Sequence, residues 1–191
     1  MEREKNKNTS QNIDLETYRK ELRSIIFSGE SHKSGIVDKK LSEIAIDEMI
    51  KATQQQICIE LPSFNDLLYT KSSLMALTDA MKHKIDVKIV LNKQPSNFPI
   101  PEDLKEPITI LKSVTRHTPY NKEEYEEIKP LVPWVEEDGI KNGTFAFDGK
   151  MSQIHITPGS KWVLIGPQHR EASKKVAEII QKRWLRGREM E

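Results

Sequence analysis

A histidine and a lysine, His155 and Lys161, stand six residues apart on either side of the turn-forming pair Pro158-Gly159. A hairpin at that pair would place the two side by side on neighbouring strands. The imidazole is a potential nucleophile and the ammonium a potential partner for negative charge, so together they could form a reactive pair. The alternative is structural, with His155 a partly buried sheet residue and Lys161 a solvated turn residue. The structural interpretation is preferred.

Two other polar stretches could bind a ligand. His169 begins the last predicted helix, and the free N–H groups of a helix N-terminus could accept an anion there. Arg116, His117 and Tyr120 form a polar and aromatic loop that could line a cleft, although a plain surface loop explains the same residues.

Metal and nucleotide sites are not indicated. The five histidines show no H-x-H or H-E-x-x-H spacing, and the single cysteine excludes a Cys-based zinc cage and an internal disulfide. Cys58 lies in the apolar run "ICIEL", which predicts a buried thiol. No glycine-rich segment has the Gly-Lys-Ser/Thr order of a phosphate loop, so no cofactor is expected.

The elements that position these residues follow from the apolar periodicity. Helices are predicted over 13–26, from the N-cap Asp38 to Ala52, around Leu74 to Met81 and from His169 to the end. Strands are predicted near 57–61, 86–92, 108–114, 144–157 and 161–166. The fold class is therefore α/β, with a mixed, mainly parallel sheet that has "ICIEL" and "KIVLN" as central neighbours and helices on both faces.

The chain divides into three parts. Residues 1–12 are polar and predict a disordered arm, 13–38 a helix and linker, and 39–191 one domain with an insertion at about 115–142. A net charge of +1 gives no whole-chain reason to expect nucleic acid. The absence of a signal peptide and of a long apolar run predicts a soluble, cytoplasmic protein without membrane contact.

The order of elements over residues 39–184 resembles one half of the phospholipase D superfamily fold. In that family a helix of the type "l..al..a..rGv.v.il" precedes a core strand, as "LMALTDAMKHKIDVKIVL" does here. The family's catalytic strand reads His-x-Lys-x4-Asp-Gly, and the next strand ends in Gly-Ser-x-Asn. The segment "TFAFDGK" occupies the place of the catalytic strand, and the last helix ends near Trp184, as the family's does near an aromatic.

The catalytic residues that the resemblance implies are missing. With Asp148-Gly149 as the motif's Asp-Gly, its His and Lys would fall at 141 and 143, where the sequence has Lys141 and Gly143. Gly-Ser-x-Asn corresponds to Gly-Pro-Gln-His at 166–169. The family forms a phosphohistidine and uses the Lys to hold phosphate charge, so the resemblance implies a degenerate site.

A second His-Lys pair, in "HKSGIVD", is not a substitute for the motif. His32 and Lys33 are adjacent, so they would point to opposite sides of a strand.

These observations predict a non-catalytic, phospholipase D-like domain that senses a small ligand or interacts with a protein and that could serve in regulation. The comparison that fits best is the effector domain of TrmB-type archaeal regulators, although residues 1–38 are too short for the winged helix that accompanies it. The candidate ligand contacts are Lys141, Asp148, His155, Lys161 and His169. The alternative is a metal-independent phosphodiesterase or nuclease that works as a dimer with a relocated His155/Lys161 pair.

Single halves of this fold pair in the family, so the resemblance favours a homodimer. The interface is predicted near "TFAFDGK" and "LIGPQH", with Pro167 and Phe145 or Phe147 as contacts. The rival arrangement is a monomer in which the 13–26 helix and the 115–142 insertion cover the same face.

Overall fold

The computed structural model of the chain describes residues 14–36, 38–63, 71–93, 102–132, 144–155 and 161–189. The α-helices are α1 Leu15–Ser28, α2 Lys39–Ala52, α3 Lys71–Lys82, α4 Lys105–Lys112 and α5 Arg170–Arg186. Three 3-10 helices cover Glu102–Leu104, Lys122–Leu131 and Pro167–His169. The strands are β1 His32–Ile36, β2 Gln56–Leu61, β3 Asp86–Leu91, β4 Thr115–His117, β5 Thr144–Phe147, β6 Met151–His155, β7 Lys161–Ile165 and β8 Arg188–Glu189.

The described strands form one mixed sheet in the order β1-β7-β6-β5-β2-β3-β4-β8. The pairs β2–β3 and β3–β4 are parallel, and the other five neighbouring pairs are antiparallel. The predicted α/β class and the central position of β2 beside β3 are confirmed. The sheet is mixed, as predicted, but it is not mainly parallel: only the described pairs whose strands a helix connects are parallel, and the β5–β6–β7 meander and the two outer strands add antiparallel pairs.

The sheet is buried on both faces, as predicted. Ile57, Ile59 and Leu61 of β2 point to the core that α1, α2, α3 and α4 cover. Cys58 points to a second core beneath α5 and the Lys122–Leu131 3-10 helix. Asp38 caps α2 through the bond from Leu41 N–H to its Oδ1 (3.1 Å), as the sequence indicated.

The predicted strand at 108–114 is wrong, because α4 occupies most of that range. Ile108 and Leu111 are buried, whereas Thr109 is exposed, which is helical rather than alternating spacing. Pro107 lies in the first turn of α4, where its missing N–H has no intrahelical partner to lose. The strand of this region, β4, begins only at Thr115.

Two strands at the margins of the sheet were not predicted. The serine- and glycine-containing segment after α1 forms β1, which pairs antiparallel with β7. Lys33 and His32 alternate across it, and Lys33 is the more exposed of the two. At the other margin, β8 adds two residues beside β4. The apolar alternation that identifies a strand is weak in both, because β8 is short and β1 has few large apolar residues.

The residues predicted to form a dimer interface lie largely inside the domain. Phe145 and Phe147 are 5% and 0% exposed and stack on each other in the core under α2, so both are wrong as interface contacts. Pro167 is exposed. Helix α1 packs on α2, and the described part of the insertion, 115–132, packs on α5. Each face of the sheet is thus covered within one chain.

Candidate functional site

The pairing of β6 with β7 brings His155 directly opposite Lys161 in the register. The antiparallel pairing of β6 with β7 is thus the one that a hairpin between them would give, although Pro158 and Gly159 lie outside the described residues. This pair lies at the edge of the sheet where β5 begins at Thr144 and β2 ends at Leu61. We call it the Lys161 edge.

Lys161 is half-buried and is held by a serine of α2. Its Nζ donates a hydrogen bond to Ser42 Oγ at 2.9 Å. Gln153 Nε2 donates to the same oxygen, also at 2.9 Å. Ser42 and Gln153 are 1% and 0% exposed, so the interaction reaches into the core between α2 and the sheet. A neutral hydroxyl thus positions the ammonium without neutralising its charge.

The charge on Lys161 has no bonded counter-ion in the described part of the chain. No carboxylate there lies within ion-pair distance of its Nζ. Burial lowers the pKa of this ammonium from its ordinary value of 10.5, an effect that Glu43 opposes and Lys39 increases. A partly desolvated cation of this kind can bind an anion more strongly than a fully hydrated one can.

A buried charge network lies at the same edge, on the opposite face of the sheet. Arg183 Nε lies 2.8 Å from Glu60 Oε2, and both side chains are 1% exposed. Tyr125 Oη donates to Glu60 Oε2 at 2.5 Å, and Arg183 Nη2 donates to Asn92 Oδ1 at 3.1 Å. Glu60 is the register partner of Thr144, the first residue of β5.

Sequence reasoning missed this network and the Lys161 partners. Two signals could have found the network: Glu60 interrupts an apolar strand, and Arg183 lies on the buried stripe of α5 with Val176 and Ile180. Ser42 gave no such signal, because a serine in the first turn of a helix is common.

Asp148 lies at the opposite end of β5 and has a structural role. Its carboxylate accepts hydrogen bonds from the backbone N–H groups of Gln54 (2.9 Å), Gln55 (2.8 Å) and Gln56 (2.8 Å). Asp148 and Gly149 have φ values of +53° and +61°, which suits the turn between β5 and β6. The carboxylate fixes the loop that leads from α2 into β2, and it is not part of the Lys161 edge.

We expect Asp148→Ala to lower the free energy of unfolding by about 1 to 3 kcal/mol, because three N–H groups lose a charged acceptor. Asp148→Asn keeps one acceptor oxygen and tolerates the positive φ, so it should lose less. Urea denaturation of both variants measures the difference. Equal stability of all three proteins would show that the bonds to Gln54, Gln55 and Gln56 contribute nothing.

His169 also lies away from Lys161. It precedes α5, makes no side-chain capping bond to it, and follows β7 at the end where that strand pairs with His32. Burial lowers the pKa of His169, and the nearby charges of Lys33 and His32 lower it further. The anion site predicted at this helix N-terminus stays a prediction.

The segment 166–169 does not follow the strand that comes after the Asp-Gly turn. That strand is β6, which ends at His155, whereas 166–169 follows β7. The alignment of Gly-Ser-x-Asn with Gly-Pro-Gln-His is therefore displaced by one strand. Residues 156–160, which come directly after β6, lie outside the described residues, as do Lys141 and Gly143.

Side chains of the loop predicted to line a cleft instead contact other residues of the domain. Arg116 pairs with Glu189 at 2.9 Å and lies over the Trp184 ring, and Tyr120 stacks on Tyr125. Within the described ranges, no group of three or more His, Cys, Asp or Glu side chains could hold a metal. In the same ranges, no helix is long and apolar enough to cross a membrane.

Comparisons with known proteins identify the fold but no close relative. No protein-family model matches the sequence, and no curated protein matches it. Among solved structures, Nuc from Salmonella typhimurium, a phospholipase D family member, superimposes with a TM-score of 0.53 at 15% identity. The match covers 84% of this chain and 99% of Nuc.

Phosphatidylserine synthase from Haemophilus influenzae Rd KW20 gives a TM-score of 0.46 at 10% identity over 81% of this chain and 39% of the synthase. The order and pairing of the strands, together with the similarity to Nuc, lead to one conclusion. This chain has a phospholipase D-like fold.

Proposed function

We propose that this chain is a non-catalytic phospholipase D-like domain that binds a small anionic ligand at the Lys161 edge and so acts in sensing or interaction. The observation that carries the proposal is the half-buried ammonium of Lys161, which is bonded to the neutral Ser42 hydroxyl at 2.9 Å. A phosphate or carboxylate group could supply the counter-charge there with a charge-assisted hydrogen bond.

The sequence supports a binding function over an enzymatic one. The resemblance assigns the catalytic His and Lys to positions 141 and 143, and the sequence has Lys141 and Gly143 there. Without the histidine, the covalent phosphohistidine of the family cannot form at that position.

Binding of an inorganic anion tests the role of Lys161. We expect inorganic phosphate to bind the wild-type protein, and Lys161→Met to weaken that binding by about 10- to 100-fold, the value of one hydrogen bond to a charged group. Lys39→Met, which removes a largely exposed charge close to the same edge, should weaken it by only about 2-fold. Isothermal titration calorimetry measures both effects. Equal losses in the two variants would contradict a specific role for Lys161.

Binding should also depend on pH in a defined direction. The pKa of Lys161 is lowered, so the ammonium loses its proton below 10.5 and anion affinity should fall as the pH rises through that lowered value. Sulfate is a suitable probe because its charge is constant in this range. The same series with Lys161→Met should be flat. A wild-type profile that declines only above 10.5 would contradict the burial of this lysine.

One observation favours a second function, a metal-independent phosphodiesterase. His155 and Lys161 are register partners at the Lys161 edge, so a relocated pair is compatible with the backbone.

We nevertheless expect no hydrolysis of bis(4-nitrophenyl) phosphate by the purified protein in the presence of EDTA. Release of 4-nitrophenolate measures the reaction, and His155→Ala serves as the matched control. Turnover by the wild-type protein that His155→Ala abolishes, with an unchanged circular dichroism spectrum, would establish the enzyme in place of the binding domain.

A further inference from the structure

A segment that we call the strap, Thr118–Val132, lies across α5 on the face of the sheet opposite α2. Most of it is the Lys122–Leu131 3-10 helix, ten residues long and with Pro130 inside it. Runs of 3-10 helix longer than three or four residues are uncommon because their hydrogen-bond geometry is poor. The backbone of the strap therefore contributes little to its own stability, and contacts to the rest of the chain must hold it.

One arginine of α5 makes several of these contacts. Arg183 Nη2 donates to the carbonyl oxygens of Pro119 (2.7 Å) and Thr118 (3.3 Å), and Arg183 Nη1 donates to Glu124. Thr118 Oγ1 donates in return to the Arg183 carbonyl at 2.9 Å. Arg183 thus joins both the start of the strap and its 3-10 helix to α5.

Charged and polar groups from three parts of the chain surround the Arg183 guanidinium. Glu60 faces it from β2, Glu124 and the Tyr125 hydroxyl from the strap, and Asn92 from the end of β3. Arg186, one turn along α5, also binds Glu124. Two cations of α5 therefore face two carboxylates where the strap contacts α5. One carboxylate belongs to the sheet and the other to the strap.

The apolar side of the strap is buried, but it belongs to only one of the two cores. Tyr125, Ile128 and Val132 pack with α5 and with the face of the sheet opposite α2. The larger core, which α1 to α4 share with β2 and β3, lies on the other face and includes no strap residue. The sheet can consequently keep that core while the strap is detached.

We propose that the strap opens and closes as one unit, with the Arg183 network as its latch, while the sheet and helices α1 to α4 stay folded. Opening uncovers the apolar face of α5 and the side of β2 that carries Glu60, next to the first residue of β5. Movement of the strap therefore changes how accessible Glu60 and the neighbouring end of β2 are to solvent.

Hydrogen exchange measured by mass spectrometry at increasing low urea concentrations tests the proposal on the whole chain. In the wild-type protein, we expect strap amides to exchange at least ~100-fold faster than amides of β2 and β3, with little dependence on urea. Equal rates and equal urea dependence in the two regions would mean that the strap opens only by global unfolding, which would overturn the proposal.

Two variants separate the latch from general destabilisation. Ile57→Val weakens only the α1 to α4 core, which persists in the open state, so it should accelerate sheet amides by roughly 5-fold and leave strap amides unchanged. Glu124→Gln weakens contacts that are lost in both the open and the unfolded state. It should therefore accelerate strap and sheet amides by the same factor.

Each other result counts against the proposal. Acceleration of strap amides by Ile57→Val would show that opening disrupts the main core. Acceleration of sheet amides alone by Glu124→Gln would show that the network survives opening and is not the latch, and no effect on either region would show that the ion pairs contribute nothing. Arg170→Gln removes an exposed charge at the start of the same helix, so it is the matched control and should change neither rate.

Discussion

We expect Gly166→Ala to lower the free energy of unfolding by about 2 to 6 kcal/mol, which combines backbone strain with overpacking. Gly166 has φ +86° and ψ −175°, a region that only glycine occupies readily. A Cβ at this position would lie 2.4 Å from the Glu30 carbonyl oxygen and 2.8 Å from Ser31 Cα. Both obstacles are backbone atoms, so no side-chain rotation relieves them. Urea denaturation monitored by circular dichroism measures the loss.

Gly29→Ala is the matched control for this prediction. Gly29 also has a positive φ, +70°, but an added Cβ would have no atom within 4 Å. Only the backbone term of about 1 to 2 kcal/mol should appear there. If the two variants lost the same stability, the close approach of the chain at Glu30 to Gly166 would not be the cause.

The second large effect is expected at Arg183. Arg183→Met should cost about 3 to 5 kcal/mol, since it leaves the buried Glu60 carboxylate without its cation. Combining it with Glu60→Gln removes the unpaired charge and retains an acceptor for Tyr125, so the double variant should recover most of that loss. Arg186→Met, which removes an exposed partner of Glu124, should cost only about 0 to 1 kcal/mol.

The Arg183→Met defect should shrink as the pH falls. Burial raises the pKa of Glu60 above its ordinary value of 4.5, and Arg183 opposes that effect. Without Arg183 the folded state takes up a proton on Glu60 more readily than the unfolded state, which favours folding at acidic pH. Thermal melts at pH 7 and pH 5 compare the variant with the wild type. A defect of the same size at both values would mean that Glu60 is already neutral at pH 7.

How much could be predicted from the sequence depended on the strength of the local pattern. Buried strands such as β2 and β3 can be predicted from the sequence, because a short apolar run between turn residues is compatible with few other structures. The run "ITILK" has equally apolar residues, yet it forms α4, because its spacing also fits a helix and the neighbouring elements decide the outcome. Strand β1, with Gly35 and Ser34 in it, owes its existence to its pairing with β7.

The candidate site was partly predictable for a similar reason. Pro158-Gly159 gave a local signal for a connection that brings β6 beside β7, whereas the exact register of His155 with Lys161 depends on how the two strands pair in the sheet. The bond from Lys161 to Ser42 joins residues that are 119 positions apart, and the bond from Arg183 to Asn92 spans 91 positions. Contacts at such separations leave no periodic trace in a single sequence. The same holds for Asp148, whose carboxylate accepts from the backbone N–H groups of Gln54, Gln55 and Gln56, all more than 90 positions away.

The position of β7 in the sheet has a consequence for synthesis on the ribosome. β7 joins β1, made early, to β6, and it pairs His32 with Ile165. Helix α5, which covers the second core, follows it in the chain. During synthesis the N-terminal part of the chain emerges first, so β1 stays unpaired until β7 has been made. One face of β2 and β3 likewise stays partly exposed to solvent until α5 has been translated. We infer that the fold is completed only after residues 161–189 have emerged from the ribosome. Until then the nascent chain exposes an unpaired strand and an apolar sheet face, and it is prone to aggregation.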